Sequence, residues 1–190
     1  DRGVSRHRIA DLIETIHDEF THYCLFADIY DAIRDGNTSP LDPHELQIWE
    51  EDKFLTDMRI EQNHAHGEIG VRASHFTEGG YCTLFREGMR LKGRGGNDDL
   101  IAEACRVIYE DEFGHMLGGI VGLEEEGMSA TDYDLMMELV IKQLRARIKM
   151  RNAEFSLPLS EERVEAIYNG DIEPEPFDFD KAAEVMASAH

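Results

Sequence analysis

Two short strings of this chain place a carboxylate three residues before an imidazole. The first string, DEFTH, occupies positions 18–22, and the second, DEFGH, occupies positions 111–115. Side chains at i and i+3 leave the same face of a helix, so each pair can reach one metal ion. Two such pairs are typical of a dimetal site inside a helical bundle. The predicted ligands are Glu19, His22, Glu112 and His115.

The position of Glu19 on its helix supports this hypothesis. A helix predicted for residues 5–34 has an apolar stripe, and Glu19 falls on that stripe with His22 at its edge. The rival pair, Glu14 and His17, points mostly away from it. Because a carboxylate on a buried face is costly unless it is paired, protonated or bound to metal, we expect Glu19 to lie beside a metal ion. The stripe comprises Ile9, Leu12, Ile16, Phe20, Tyr23, Ala27 and Tyr30.

A third carboxylate follows from the helix–helix turn predicted at residues 93–97. Glu78 and Glu112 lie equally far in sequence from the middle of this turn. In an antiparallel helix pair with a rise of about 1.5 Å per residue, the two residues sit at the same height. Glu78 is therefore predicted to stand opposite Glu112 and to bridge the same metal ions. The carboxylates expected to be catalytic are Glu19, Glu78 and Glu112.

This ligand set lacks one carboxylate. By symmetry with the predicted Glu78–Glu112 hairpin, the residue that mirrors Glu19 lies upstream of the first residue of the chain. Either an upstream helix supplies it, or Glu61 or Glu68 substitutes for it. The first explanation is more economical, because helix phase places Glu61 and Glu68 away from the centre of the Glu78 face.

The rest of the chain is predicted to be all-α. Helices are predicted over residues 5–34, 43–57, 58–92, from Asn97 onwards, and over 132–153. The helix at 43–57 fits a long crossover of the kind found in ferritin-like folds. Residues 1–155 are predicted to form the dimetal domain, and the acidic, proline-punctuated residues 156–190 to form short helices or a partly ordered tail.

Composition restricts the partners and the setting. The net charge of −21 over 190 residues argues against nucleic acid, whose phosphates would be repelled. No run approaches the roughly 18 apolar residues of a membrane span, and no signal peptide is visible, so no membrane partner is expected. Cys24, Cys82 and Cys105 resemble neither a disulfide framework nor a zinc knuckle, which indicates a reducing, cytoplasmic setting.

At the predicted ligands the chain resembles the ferritin-like dimetal-carboxylate superfamily. The family pattern is a Glu followed by Glu-x-x-His, repeated once, often with Asp before the second Glu. Glu78 with residues 111–115, and residues 18–22, match this pattern, and the resemblance covers about residues 6–127 without the first Glu. It implies a ferritin-like helical bundle with a long crossover and extra C-terminal helices. It also implies two irons, or iron with manganese, that activate dioxygen as co-substrate.

Two branches of that superfamily share the spacing between Glu78 and Glu112. One is the oxygenase branch, which includes arylamine N-oxygenases and multicomponent hydroxylases, and the other is the small subunit of ribonucleotide reductase. In the reductase a radical tyrosine is expected four residues after the first His, where this chain has Phe26. The resemblance therefore favours an oxidase or oxygenase acting on a small organic substrate, with an electron-donor protein and a homo-oligomeric assembly. The expected pocket-lining residues are Phe26, Cys82 and Phe85.

Several nearby residues have two possible roles. His75, one turn before Glu78, is either an additional ligand or a polar neighbour of the site. Asp18 and Asp111 either hydrogen-bond the ligands or are surface charges. Gly79 and Gly80 directly follow Glu78. Two glycines inside a helix indicate either a distorted turn that admits oxygen or substrate, or close helix packing.

Two other functions compete with the oxygenase hypothesis. A ferritin-like iron-storage or peroxide-detoxifying protein would assemble into a large hollow shell. A metal-free helical interaction protein would use its acidic surface and tail to bind a basic partner. The first predicts ferroxidase turnover without an organic substrate, and the second predicts that Glu19 and Glu112 affect neither stability nor metal content.

Overall fold

The computed structural model describes residues 3–123, 127–174 and 176–188, and only the backbone of Arg8, Asp11 and Ser188. Within these ranges it contains helices and no strand, which confirms the all-α prediction. The helices are α1 (Arg6–Ile33), α2 (Glu50–His66), α3 (Glu68–Met89), α4 (Asn97–Gly118), α5 (Ala130–Glu154), α6 (Glu161–Tyr168) and α7 (Phe179–Ser188).

The prediction was wrong about the helices between residues 43 and 92. Asp42 caps a local turn, in which its side chain accepts a hydrogen bond of 2.9 Å from the His44 amide, and the helix begins only at Glu50. Gly67 then separates α2 from α3, because its φ of 56° is a left-handed conformation that ends a helix readily only at glycine. The predicted boundary between residues 57 and 58 therefore lies inside α2, and the break between the two helices is at Gly67.

The other helix ends follow local capping. The turn before α4 contains glycines with positive φ, and the Gly93 amide donates a hydrogen bond of 2.6 Å to Asp99. The predicted start of α4 at Asn97 is confirmed. Helix α5 begins at Ala130, two residues before the predicted start, because Ser129 and Asp132 form a reciprocal capping box.

The chain divides into two compact units, and the division falls within α3 and α4. Unit 1 contains the described residues of 1–46 and 84–111, and unit 2 contains those of 47–83 and 112–190. The prediction of a boundary between residues 155 and 156 stays a prediction.

In unit 1, the prediction that the apolar stripe of α1 is buried was wrong for the first half of the helix. Ile16, at 68% exposure, is typical of this part of the stripe. Burial begins further along the helix, where Ile29 is buried and Phe26 contacts Phe85 with ring centroids 6.4 Å apart. The exposed stripe residues are Ile9, Leu12, Ile16 and Phe20.

Unit 2 contains two buried apolar clusters and a buried hydrogen-bond network. One cluster joins Leu55, Ala146 and Met150, and a second joins Ala73, Leu139 and Val140. The Gln143 side chain of α5 is fully buried. Its oxygen accepts a hydrogen bond of 2.6 Å from Thr77 on α3, and its NH₂ group donates one of 2.8 Å to Gln62 on α2. These contacts fix α3, which carries Glu78, in unit 2.

Candidate metal centre

Unit 2 brings together three of the predicted ligands. Glu78 lies on α3, while Glu112 and His115 lie one turn apart on α4. Glu78 Oε2 is 3.8 Å from His115 Nδ1. Glu112 and His115 each offer a ligand atom, and these two atoms lie within 4.8 Å of each other. The carboxylates and the imidazole thus form a single cluster.

The distance between Glu78 and His115 fits a shared metal ion. Two atoms that each bind one ion at about 2.1 Å are at most about 4.2 Å apart. The 3.8 Å between Glu78 Oε2 and His115 Nδ1 falls within that limit and is too long for a hydrogen bond. Carboxylate oxygens and imidazole nitrogens suit iron and manganese. The donor set therefore fits the metals that the sequence resemblance implies.

Two cationic or imidazole groups adjoin Glu78 besides His115. His75 Nδ1 lies 3.9 Å from Glu78 Oε2, so the residue is beside the cluster and both roles considered for it stay open. Arg59 Nη2 lies 4.0 Å from Glu78 Oε1, and sequence reasoning missed this residue. Its position on α2 gave no signal, because only the folded contact between α2 and α3 brings it to Glu78.

Unit 1 places His22 between two carboxylates. His22 is buried at 7% exposure, its Nδ1 lies 3.7 Å from Glu19 Oε2, and its Nε2 lies 3.0 Å from Asp111 Oδ2. A histidine that binds a metal through one nitrogen usually bonds a carboxylate through the other. Asp111 occupies that position. Asp18 instead pairs with exposed His17 at 3.4 Å.

The two carboxylates change the protonation of His22. Glu19 is the main cause that raises the pKa of His22 to about 9, Asp111 raises it further, and burial opposes both. Without a metal ion His22 is therefore protonated at neutral pH. An ion bound at Nδ1 must displace this proton, so its affinity increases with pH.

The prediction that Glu19 is buried was wrong. The Glu19 side chain is 60% exposed, whereas the Glu112 side chain is buried. The physical reason is the exposed stripe of α1: Ile16 and Phe20, which flank Glu19 along the helix, are also exposed. The two substitutes considered for the missing carboxylate are exposed as well, and Glu68 pairs with Arg72 at 3.4 Å.

The predicted pocket residues lie in different environments. Phe26 is exposed in unit 1, where it contacts buried Phe85. Cys82 is buried in unit 2, where desolvation, and next the charge of Glu112, raise the pKa of its thiol to about 12. Their role as a substrate pocket stays a prediction. A separate cavity of about 510 Å³ in unit 2 is lined by α5 and α6, including Lys149 and Tyr168.

Close packing explains the paired glycines at 79 and 80. A Cβ atom at Gly79 would lie 2.8 Å from Met116 Cγ, and one at Gly80 would lie 2.7 Å from Arg147 Cδ. Helix α3 continues without interruption from Glu68 to Met89 through this point. Of the two explanations for these glycines, the structure therefore favours close approach of neighbouring side chains.

Comparison with known proteins identified no relative of this chain. No protein-family model, curated protein or solved structure matches the chain. No helix in the described ranges is long and apolar enough to cross a membrane. Functional assignment therefore rests on the geometry of the two units and on the sequence motif.

Proposed function

We propose that the chain is an oxygen-activating dimetal oxidase or oxygenase with a ferritin-like fold, acting on a small organic substrate. The observation that carries this proposal is the cluster of Glu78, Glu112 and His115 in unit 2, with its 3.8 Å separation between Glu78 Oε2 and His115 Nδ1. Two carboxylates and an imidazole are one half of the ligand set that the sequence motif predicts.

The sequence motif predicts Glu19 and His22 as the second half of the ligand set. Within unit 1, Asp111 would hold the His22 ring through Nε2 and leave Nδ1 to bind a metal. When bound, two irons, or iron with manganese, would supply the reducing centre for dioxygen. Arg59, at 4.0 Å from Glu78, would offset part of the negative charge of the carboxylates.

One observation favours a metal-free interaction protein as a second candidate. His22 between Glu19 and Asp111 forms a stable ion cluster in its protonated state, as its raised pKa of about 9 indicates. Such a cluster stabilises a helix pair without metal. This candidate and the enzyme differ in one property, which is the metal content of the purified chain.

The decisive experiment measures metal content after expression with added iron and manganese. The test variant is Glu112→Ala with His115→Ala, and the control is Glu61→Ala with His64→Ala, a Glu-x-x-His pair of α2 whose side chains are exposed. We expect about two ions per chain in the wild type and the control, and none in the test variant. Absence of metal from all three, even after anaerobic Fe(II) loading, would refute the enzyme.

Oxygen consumption then separates an oxygenase from a storage protein. The Fe(II)-loaded chain is mixed with air-saturated buffer, first alone and then with a reductant and a panel of small organic substrates. An oxygenase consumes dioxygen faster when its substrate is present. A storage protein consumes it equally with and without substrate, and elutes from size-exclusion chromatography as a large shell.

A further inference from the structure

Unit 2 contains a second group of side chains with unusual electrostatics. Tyr81 on α3 is flanked by two arginines of α5, with Arg147 Cζ 3.9 Å and Arg151 Cζ 4.4 Å from the centre of its ring. The two arginines are one helical turn apart, so both guanidinium groups reach the same ring. This Tyr81 cluster is distinct from the ligands assigned above.

The burial of the charged Arg147 side chain requires an explanation. This residue is buried at 3% exposure, and within the described residues none of its three side-chain nitrogens has a hydrogen-bond acceptor. Gly80 leaves room for this side chain, since a Cβ there would lie 2.7 Å from Arg147 Cδ. Buried charges in proteins are normally paired, because an unpaired charge loses its hydration without compensation.

Among its neighbours, Tyr81 stabilises the charge of Arg147 and the other arginines oppose it. Burial is the main cause that lowers the pKa of Arg147, Tyr81 raises this pKa, and the positive charges of Arg59 and Arg151 lower it further. Arg151 Nη1 has a carboxylate partner, Glu154, at 2.6 Å, and Arg59 has Glu78 at 4.0 Å. Arg147, by contrast, has no carboxylate partner among the described residues.

The face of Tyr81 compensates only part of this charge. A cation over an aromatic ring gains energy from the ring's negative face, but the N–H groups of a guanidinium lie in its plane. Nε and Nη2 of Arg151 are also buried without an acceptor among the described residues. The ring therefore holds the two guanidinium planes in place and leaves most of their donors without an acceptor among the described residues.

We propose that Arg147 and Arg151, held on Tyr81, form a binding site for a small oxyanion, a carboxylate or a phosphate. The paired N–H donors of a guanidinium match two oxygens of either group. An anion there satisfies the buried donors and balances the charge of Arg147. Arg151 retains 18% of its side-chain exposure, so the outer end of the site reaches solvent.

The proposed site does not depend on bound metal. None of its three residues is among the predicted metal ligands. The test is therefore made on metal-free protein, so that its result and that of the metal measurement are independent.

The test is thermal unfolding of the full chain, freed of metal with EDTA that is then dialysed away, in sodium phosphate, sodium succinate or sodium chloride at equal ionic strength. Equal ionic strength removes general screening as a cause. An anion that binds the folded chain raises Tm in proportion to the logarithm of its concentration once this exceeds Kd, by about 5–10 °C at one hundred times its Kd. A rise with phosphate alone, or with succinate alone, identifies the oxyanion.

Variants locate the effect. Arg147→Gln and Arg151→Gln are expected to lose the anion-dependent rise, while the control Arg145→Gln keeps it, because Arg145 is exposed on the same helix and faces Tyr168. If Arg147→Gln does not fold, Arg151→Gln decides the outcome. The proposal is overturned if phosphate and succinate leave the wild-type Tm at its chloride value, or if Arg151→Gln keeps the full rise.

Discussion

The two DEFxH strings of this chain have nearly the same letters and different surroundings. In unit 2, Glu112 is buried, and His115 has the carboxylate of Glu78 3.8 Å away. In unit 1, His22 is buried between two carboxylates, while Glu19 is 60% exposed. Identical spacing therefore produces a packed cluster in one unit and a half-open one in the other.

The cause of this difference is the packing of the two helices. The α4 residues around Glu112 in unit 2, such as Phe113 and Met116, are buried. The α1 residues around Glu19, such as Ile16 and Phe20, are exposed. A ligand motif fixes which side chains share a helix face, but only neighbouring elements exclude water from that face.

The largest expected effect tests the tight packing of unit 2. Met150 is almost fully buried against Leu55 and Ala146, so Met150→Ala removes its contacts and leaves a cavity. We expect a loss of about 3 kcal/mol in the free energy of unfolding, measured in urea. Met137→Ala on the same helix is the control, because Met137 is exposed, and it is expected to change stability by less than about 0.5 kcal/mol.

The next effect tests the backbone approach of α3 to the end of α4. A Cβ atom at Gly119 would lie 2.5 Å from the Phe76 amide nitrogen and 2.7 Å from the Arg72 carbonyl oxygen. Because backbone cannot rotate away, Gly119→Ala is expected to destabilise by about 2 kcal/mol.

Gly114 supplies the matched control for this substitution. It lies inside α4, and a Cβ atom there would have no described atom of another element within 4 Å. Gly114→Ala is therefore expected to stabilise by about 0.5–1 kcal/mol through helix propensity. Thermal unfolding measures both variants. Equal effects at the two positions would contradict the close approach at Gly119.

The sequence predicted those features that depend on local spacing. The all-α class and the start of α4 at Asn97 follow from periodicity and capping. Glu78 and His115, which the sequence places on the two arms of one hairpin, lie 3.8 Å apart, while the position of Glu78 opposite Glu112 stays a prediction.

The sequence did not predict features that depend on neighbours distant in the chain. Periodicity showed that α1 has an apolar stripe, but it contains no information about whether another element covers Ile16. Similarly, the helix break at Gly67 depends on the positive φ of that residue. Glycine can adopt a positive φ, but its presence in a sequence does not by itself predict one. Arg59 and Arg147 acquire their roles only through contacts with α3, which local patterns do not specify.

A smaller effect tests the carboxylates around His22 in metal-free protein. A folded pKa of about 9, above the ordinary 6.5, stabilises the fold fully below pH 6.5, and this contribution is lost as pH rises through 9. Because Glu19 is largely exposed and solvent screens its charge, we expect Glu19→Gln to cost about 1 kcal/mol at pH 6 and almost nothing at pH 10.

Two measurements check this pH dependence. Urea unfolding at a series of pH values gives the stability difference, and NMR titration gives the pKa of His22, which is expected to fall in Glu19→Gln. The control Glu14→Gln changes an exposed carboxylate of the other Glu-x-x-His pair of α1 and is expected to leave the His22 titration unchanged. An unchanged titration in Glu19→Gln would show that Glu19 does not face His22 in solution.

The smallest effect tests the exposed half of α1 directly. Ile16 is 68% exposed, so little apolar area is removed from water there, and Ile16→Ser is expected to change the unfolding free energy by less than about 0.5 kcal/mol. The control, Ile108→Ala, truncates a fully buried residue of the same unit and is expected to cost about 3 kcal/mol. A loss above about 1 kcal/mol in Ile16→Ser that grows with protein concentration would mean that another chain covers the stripe, since only association makes stability depend on concentration. In that case Glu19 would also be shielded in solution, and the contrast between the two ligand strings would belong to the isolated chain alone.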